Sequence, residues 1–163
     1  MKKIKSHSVV AQIESLVKAR MLESNVVHLK DLQKLRRDQK ITILIVDDDA
    51  SIRNSLSRLF SDDGYNVLTA ADGIELSRSL EKDTPDLVIL DVDLPWINGL
   101  ELASLMKSHD EIKDIPIVLL SGLTEIKDIK KGFGSGADDY VKKPFDANRL
   151  KQTVLTLLSL RLK

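Results

Sequence analysis

The chain has 163 residues, 42% of them apolar, with no cysteine and with 25 basic side chains balancing 25 acidic ones. That length suits one domain with an appendage, and the lack of cysteine excludes disulfides and fits a reducing cytosol. The neutral total hides an asymmetry, because residues 1–40 hold ten basic against four acidic side chains, net +6, and residues 41–163 therefore carry −6.

The start, Met1-Lys2-Lys3-Ile4-Lys5, is basic, but no apolar signal-peptide core follows it. No apolar run reaches the length of a membrane-spanning helix. Residues 1–40 read as a helical extension. Val9, Val10, Ile13, Leu16 and Val17 recur at helical spacing, as do Val26, Leu29, Leu32 and Leu35, and no glycine or proline interrupts them. Ser24 either caps a second helix or lies within one long one. A stripe this apolar needs a partner surface, so the extension is expected to dock on the rest of the chain or to pair in a homodimer, with the homodimer preferred. Its basic residues Lys30, Lys34, Arg36 and Arg37 could instead form a nucleic-acid patch. The segment is short for a helix-turn-helix module and lacks the turn glycine, so DNA binding is not expected.

From residue 41 strand and helix alternate. Ile41–Val46 is an apolar, β-branched run ending in Asp47-Asp48-Asp49. A helix is expected over Ala50–Asp62, ended by Gly64, then a strand over Tyr65–Thr69. Asp72 caps a second helix reaching Glu81. Leu87–Leu90 runs straight into Asp91, and Asn98–His109 forms a third helix. Ile115–Leu120 ends at Ser121-Gly122. Thr124 caps a fourth helix, interrupted by Gly132, Gly134 and Gly136, and a short strand leads to Lys143-Pro144. Asp146 caps a last helix reaching about Leu160. Continuous apolar strands alternating with helices predict an α/β domain, a parallel sheet covered on both faces. In such sheets ligands bind at the carboxyl ends of the strands, where Asp47, Asp48, Asp91, Ser121 and Lys143 would converge. An Asp after a strand more often only caps a turn. Three carboxylates at one edge repel one another, however, unless a hard cation such as Mg2+ sits among oxygen ligands.

Residues 41 to about 161 resemble the receiver domain of two-component response regulators. The resemblance rests on Val46-Asp47-Asp48, on Leu90 through Pro95 with Asn98-Gly99, on Leu120-Ser121-Gly122, and on Gly136 through Tyr140 with Lys143-Pro144-Phe145. Each motif alone is weak, but four in order, each ending a strand-like run, are specific. The resemblance implies a flavodoxin-like, doubly wound five-stranded sheet of order 2-1-3-4-5, with the site between strands one and three. It also implies roles. Asp91 is the phosphoacceptor, supplied by a sensor histidine kinase or phosphotransfer protein. Mg2+ is held by Asp48, Asp91 and the backbone carbonyl of Asp93, with Asp47 acting through water. Lys143 pairs with a phosphoryl oxygen, aimed by a cis Lys143–Pro144 bond, a form that costs only about 0.5–1 kcal/mol over trans. Ser121 donates a hydrogen bond to the phosphoryl group, and Tyr140 is the aromatic that swings as Ser121 moves. Asp93 and Leu123 occupy positions that tune phosphoryl lifetime.

The resemblance implies a cytoplasmic signalling switch that catalyses only its own phosphoryl transfer and dephosphorylation and signals to a downstream protein. The competing readings are an inert receiver-fold scaffold and the receiver fragment of a longer regulator. The intact acidic set with Ser121 and Lys143 speaks against the scaffold. A haloacid-dehalogenase-like phosphatase also uses an aspartyl nucleophile at a strand end, and Asp91-Val92-Asp93 fits it superficially. The chain is too short for that family's cap. The histidines His7, His28 and His109 have no spaced partners and read as surface residues. Trp96, beside the site, either covers the loop or meets a partner.

Overall fold

The computed structural model describes residues 39–122, 130–131 and 134–161. The helical extension, Leu123 and the Thr124 cap lie outside the described residues. Three five-residue strands, β1 (Thr42–Val46), β3 (Leu87–Asp91) and β4 (Ile117–Ser121), are buried at every position. Their unbroken apolar runs are explained by helices on both faces of the sheet. The outer strands β2 (Asn66–Ala70) and β5 (Asp139–Lys142) have mixed exposure, as edge strands should. All neighbours pair in parallel, in the order β2-β1-β3-β4-β5. The chain therefore leaves β1 in two directions, and the switch point falls between β1 and β3.

Helices α1 (Ala50–Asp62), α2 (Gly73–Lys82), α3 (Gly99–Ser108) and α4 (Ala147–Arg161) follow strands β1, β2, β3 and β5. Local chemistry sets their ends. The Asp49 carboxylate accepts from the N–H groups of Ser51 and Ile52, and that of Asp72 accepts from Ile74 and Glu75. Each satisfies donors that a helix start leaves open. Glu75 reaches back to the N–H of Ala71, an acidic first-turn residue at the positive end of its helix. Gly64 ends α1 at φ +93°, a conformation that costs glycine nothing. The N–H of Gly64 donates to Ser61 and that of Tyr65 to Phe60, closing the last turn. The strand expected over Tyr65–Thr69 lies one residue later. Tyr65 belongs to the turn instead and packs edge-on against Phe60, ring centres 5.8 Å apart.

The pleat of the strands divides the core. Ile43, Ile45, Ile89, Val118 and Leu120 face Leu56 and Phe60 of α1 and Leu150, Val154 and Leu158 of α4. Leu44, Val46, Val88, Leu90 and Leu119 face Leu76 of α2 and Leu102, Ala103 and Met106 of α3. Among the described residues no helix is long and apolar enough to cross a membrane.

Candidate functional site

The carboxyl ends of β1, β3, β4 and β5 gather the polar residues that interrupt the apolar runs. Asp47 follows β1 and is fully buried. Its backbone N–H donates to the carbonyl of Ala70, and its own carbonyl accepts from Arg53 Nη1 at 2.7 Å. One carboxylate oxygen accepts from the N–H of Asp49 at 2.9 Å, so the side chain is fixed on both sides. Asp48 beside it is exposed. Asp91 is the last residue of β3 and is 2% exposed. Carboxylate oxygens of Asp47, Asp48 and Asp91 lie within 4.8 Å of one another.

Lys143 answers this acidic edge. Its ammonium donates to Asp47 Oδ2 at 2.9 Å and to Asp91 Oδ1 at 3.1 Å. The backbone holds it there. The N–H of Lys143 donates to the carbonyl of Ser121 at 2.7 Å, and the Lys143–Pro144 peptide bond is cis. Burial raises the pKa of Asp91, the Asp47 carboxylate raises it further, and Lys143 and the N–H of Asp93 counteract both. Burial works against the charge on Lys143, but its bonds to Asp47 and Asp91 prevail and its pKa is raised. The site thus carries a carboxylate poised against its own charge and a lysine locked as a cation.

The remaining expected residues fall as follows. Ser121 ends β4, buried, its register partner on β5 being Lys142, next to Lys143. Tyr140 is half-buried in β5 and packs against the α2–α3 side of the core. Asp93 is exposed, with its backbone N–H turned to Asp91. Leu123 lies outside the described residues. Gly99 carries a constraint that its motif alone did not reveal. A Cβ there would overlap the carbonyl oxygen of Asp91 and stand 2.8 Å from Val92 Cα. Only glycine lets α3 start this close to the end of β3. Sequence reasoning also missed the Arg53 bond to Asp47 and the cap by Asp49, although an Asp immediately before a helix is a readable cap signal. Trp96, five residues past Asp91, is fully exposed and takes φ +69°, an uncommon conformation for a bulky residue. Carboxylate oxygens are the donors a hard divalent cation takes, so this set fits Mg2+ chemically.

The site is thus an acidic cluster with a partly buried lysine, set at the carboxyl edge of a doubly wound parallel sheet. The family model for the response regulator receiver domain matches residues 43–155. The response regulator MprA of Mycobacterium ulcerans is 38% identical over 118 residues, which is 72% of this chain and 50% of that protein. The DNA-binding dual master transcriptional regulator RpaA of Synechocystis is 39% identical over 116 residues, 71% of this chain and 48% of that protein. Among solved structures, the chemotaxis protein CheY4 of Vibrio cholerae aligns over 73% of this chain and 99% of its own, at 33% identity and a TM-score of 0.69. The chain belongs to the response regulator receiver family of two-component signalling, and phosphorylation-based signalling is its general role. The chain spans about half the length of the curated relatives it matches. One of them carries DNA binding in its name, so the expectation against DNA binding gains no support from these relatives.

Proposed function

We propose that the chain is a phosphorylation-dependent switch of a two-component relay, acting in the cytoplasm, with Asp91 accepting a phosphoryl group from a phosphohistidine of a sensor kinase or phosphotransfer protein. The observation that carries this reading is the Lys143 ammonium 3.1 Å from a buried Asp91 carboxylate that shares its site with Asp47 and Asp48. An inert scaffold gains nothing from burying such a set, since isolated buried charge is costly.

An oxygen of the Asp91 carboxylate attacks phosphorus, the bond from phosphorus to the donor histidine nitrogen breaks, and the electron pair returns to the imidazole. Lys143, already charged, exchanges its bond to Asp91 for one to a phosphoryl oxygen, and Ser121 donates a second. Asp48, Asp91 and the backbone carbonyl of Asp93, with Asp47 through water, would hold Mg2+, which would supply positive charge to offset the anionic phosphoryl group. Stabilisation by positioned charge is the largest contribution a protein makes to such transfers. Hydrolysis of the aspartyl phosphate resets the switch. Movement of Ser121 toward the phosphoryl group lets Tyr140 turn inward, and this altered surface is read by a downstream protein.

Incubating the chain with Mg2+ and acetyl phosphate, or with beryllium fluoride as a mimic, tests the reading. Labelling should be stoichiometric, should require the divalent ion and should vanish in Asp91→Asn. Labelling that survives that substitution, or none in the wild type, would return the chain to the scaffold class. Ser121→Ala should still accept phosphate yet lose the change in the NMR environment of Tyr140.

A further inference from the structure

A groove of about 370 Å3 runs between α2 and α3, on the face opposite α1 and α4. Leu76, Leu80, Leu102, Leu105, Met106 and Ile112 make it apolar. Leu105 keeps 54% of its surface exposed, a large apolar side chain that nothing among the described residues covers. The charged lining consists of Glu81 and Glu111, near the ends of the two helices, and no lysine or arginine lines the groove.

We propose that residues 22–35 of the same chain cover this groove. Three observations single out this occupant. The first is where the chain enters the fold. The N–H of Thr42 donates to the Asp86 carboxylate and the N–H of Asp86 to the carbonyl of Thr42, both at 2.8 Å. Residue 86 follows α2 by four positions, so the chain enters at the same sheet edge as the Glu81 end of the groove. Leu44 of β1 lies in the same apolar cluster as Leu76 and Leu102, which places the groove over the strand the segment leads into. The second is reach. Residues 36–40 separate Leu35 from the fold, and five extended residues span about 17 Å, more than the roughly 15 Å length of a ten-residue helix such as α2. The third is complementarity. Leu22, Val26, Leu29, Leu32 and Leu35 form a stripe at helical spacing that matches the apolar lining, and the stretch next to the fold, Lys34-Leu35-Arg36-Arg37, is basic where the charged lining, Glu81 and Glu111, is acidic. A marginal amphipathic segment and an uncovered apolar groove each remove the other's exposed surface. This arrangement is the alternative to the homodimer expected from the stripe alone.

The chain has no native cysteine, so site-directed pairs report proximity cleanly. Gln33→Cys with Ser77→Cys on α2 should close an intramolecular disulfide on mild oxidation about tenfold faster than Gln33→Cys with Gln152→Cys on α4, because docking raises local concentration. All three positions are polar, and Ser77 and Gln152 are exposed, so folding should survive. Adding Leu29→Asp and Leu32→Asp should erase the difference. In the cysteine-free chain those two aspartates should shift the methyl resonances of Leu105 and Ile112 and leave Leu56 and Leu158 unchanged. Equal closure rates overturn the proposal. So does a disulfide that forms first between chains, with light scattering at the mass of a dimer, since a second copy would then be the partner. Unchanged Leu105 and Ile112 methyls overturn it independently of any cysteine.

Discussion

Lys143→Met isolates the energetics of the acidic edge. The side chains of Asp47 and Asp91 are 1% and 3% exposed, and that of Lys143 is 22% exposed. Removing one partner of a buried ion pair costs about 3–5 kcal/mol, because the other is left buried and uncompensated. Water reaching the partly open lysine position lowers this, and about 2–3 kcal/mol is the expected loss at pH 7 in chelator. For a domain of this size that corresponds to a fall in Tm of about 10 °C. Urea unfolding of the full chain measures it, with the slope expected to stay constant while the midpoint falls.

The pH dependence sharpens the test. The pKa of Lys143 is raised by its two carboxylates, so its stabilising contribution is complete below the ordinary lysine value and is lost only as pH rises through the raised one. On the acid side the gap between wild type and variant should close, because a protonated Asp91 no longer needs a cation. Mg2+ should narrow the gap at neutral pH by giving the carboxylates another counterion. A variant within about 0.5 kcal/mol of wild type in chelator would refute the reasoning, as would a gap that widens on acidification.

Three further outcomes follow from the same geometry. Asp91→Asn should stabilise the metal-free chain at pH 7. Burial and Asp47 raise the Asp91 pKa, so its ionised form weakens the fold above that raised value, and the advantage of Asn should fade below the ordinary carboxylate range; thermal melts across pH check this. Gly99→Ala should cost about 3 kcal/mol or more, since the clash is with the backbone of Asp91 and Val92, whereas Gly122→Ala, with nothing within 4 Å of its added Cβ, should fold as wild type. Asp86→Ala should cost about 1–3 kcal/mol in urea unfolding, because the buried N–H of Thr42 loses its 2.8 Å acceptor.

The fold was legible because its signals are redundant. β1, β3 and β4 are apolar without interruption because both their faces are covered, and each run stops at the polar residue that marks the site edge. The cap at Asp72 and the stop at Gly64 are local rules that tertiary contacts left intact, whereas Asn98, read as the first helical residue, is itself a cap. The boundary at Tyr65 moved because the last turn of α1 claimed that residue's N–H, and β4 begins at Ile117, two residues after the expected Ile115. Contacts between residues far apart in sequence were not legible. Thr42 with Asp86, Asn66 with Thr42, Arg161 with the carbonyl of Asp86, and Lys107 with Asp138 tie the far edge of the sheet together. No periodicity announces such pairs.

The site divides along the same line. Motifs marked which residues gather, because Asp47, Asp91, Ser121 and Lys143 each end or follow a strand, and parallel strands in order put those ends side by side. What the sequence could not give was the state of the edge before phosphorylation. Lys143 bonds Asp47 and Asp91 together, so the cation that the proposed function assigns to a phosphoryl oxygen already neutralises the carboxylates. Such an edge resists neither form strongly. Under the proposed function its lysine has a partner in both, and phosphorylation would exchange one charge-assisted bond for another instead of creating one from nothing. The free energy that separates the two states must then come from elsewhere. On the proposed reading Ser121, which ends β4, and the half-buried Tyr140, within β5, are the residues that would supply it.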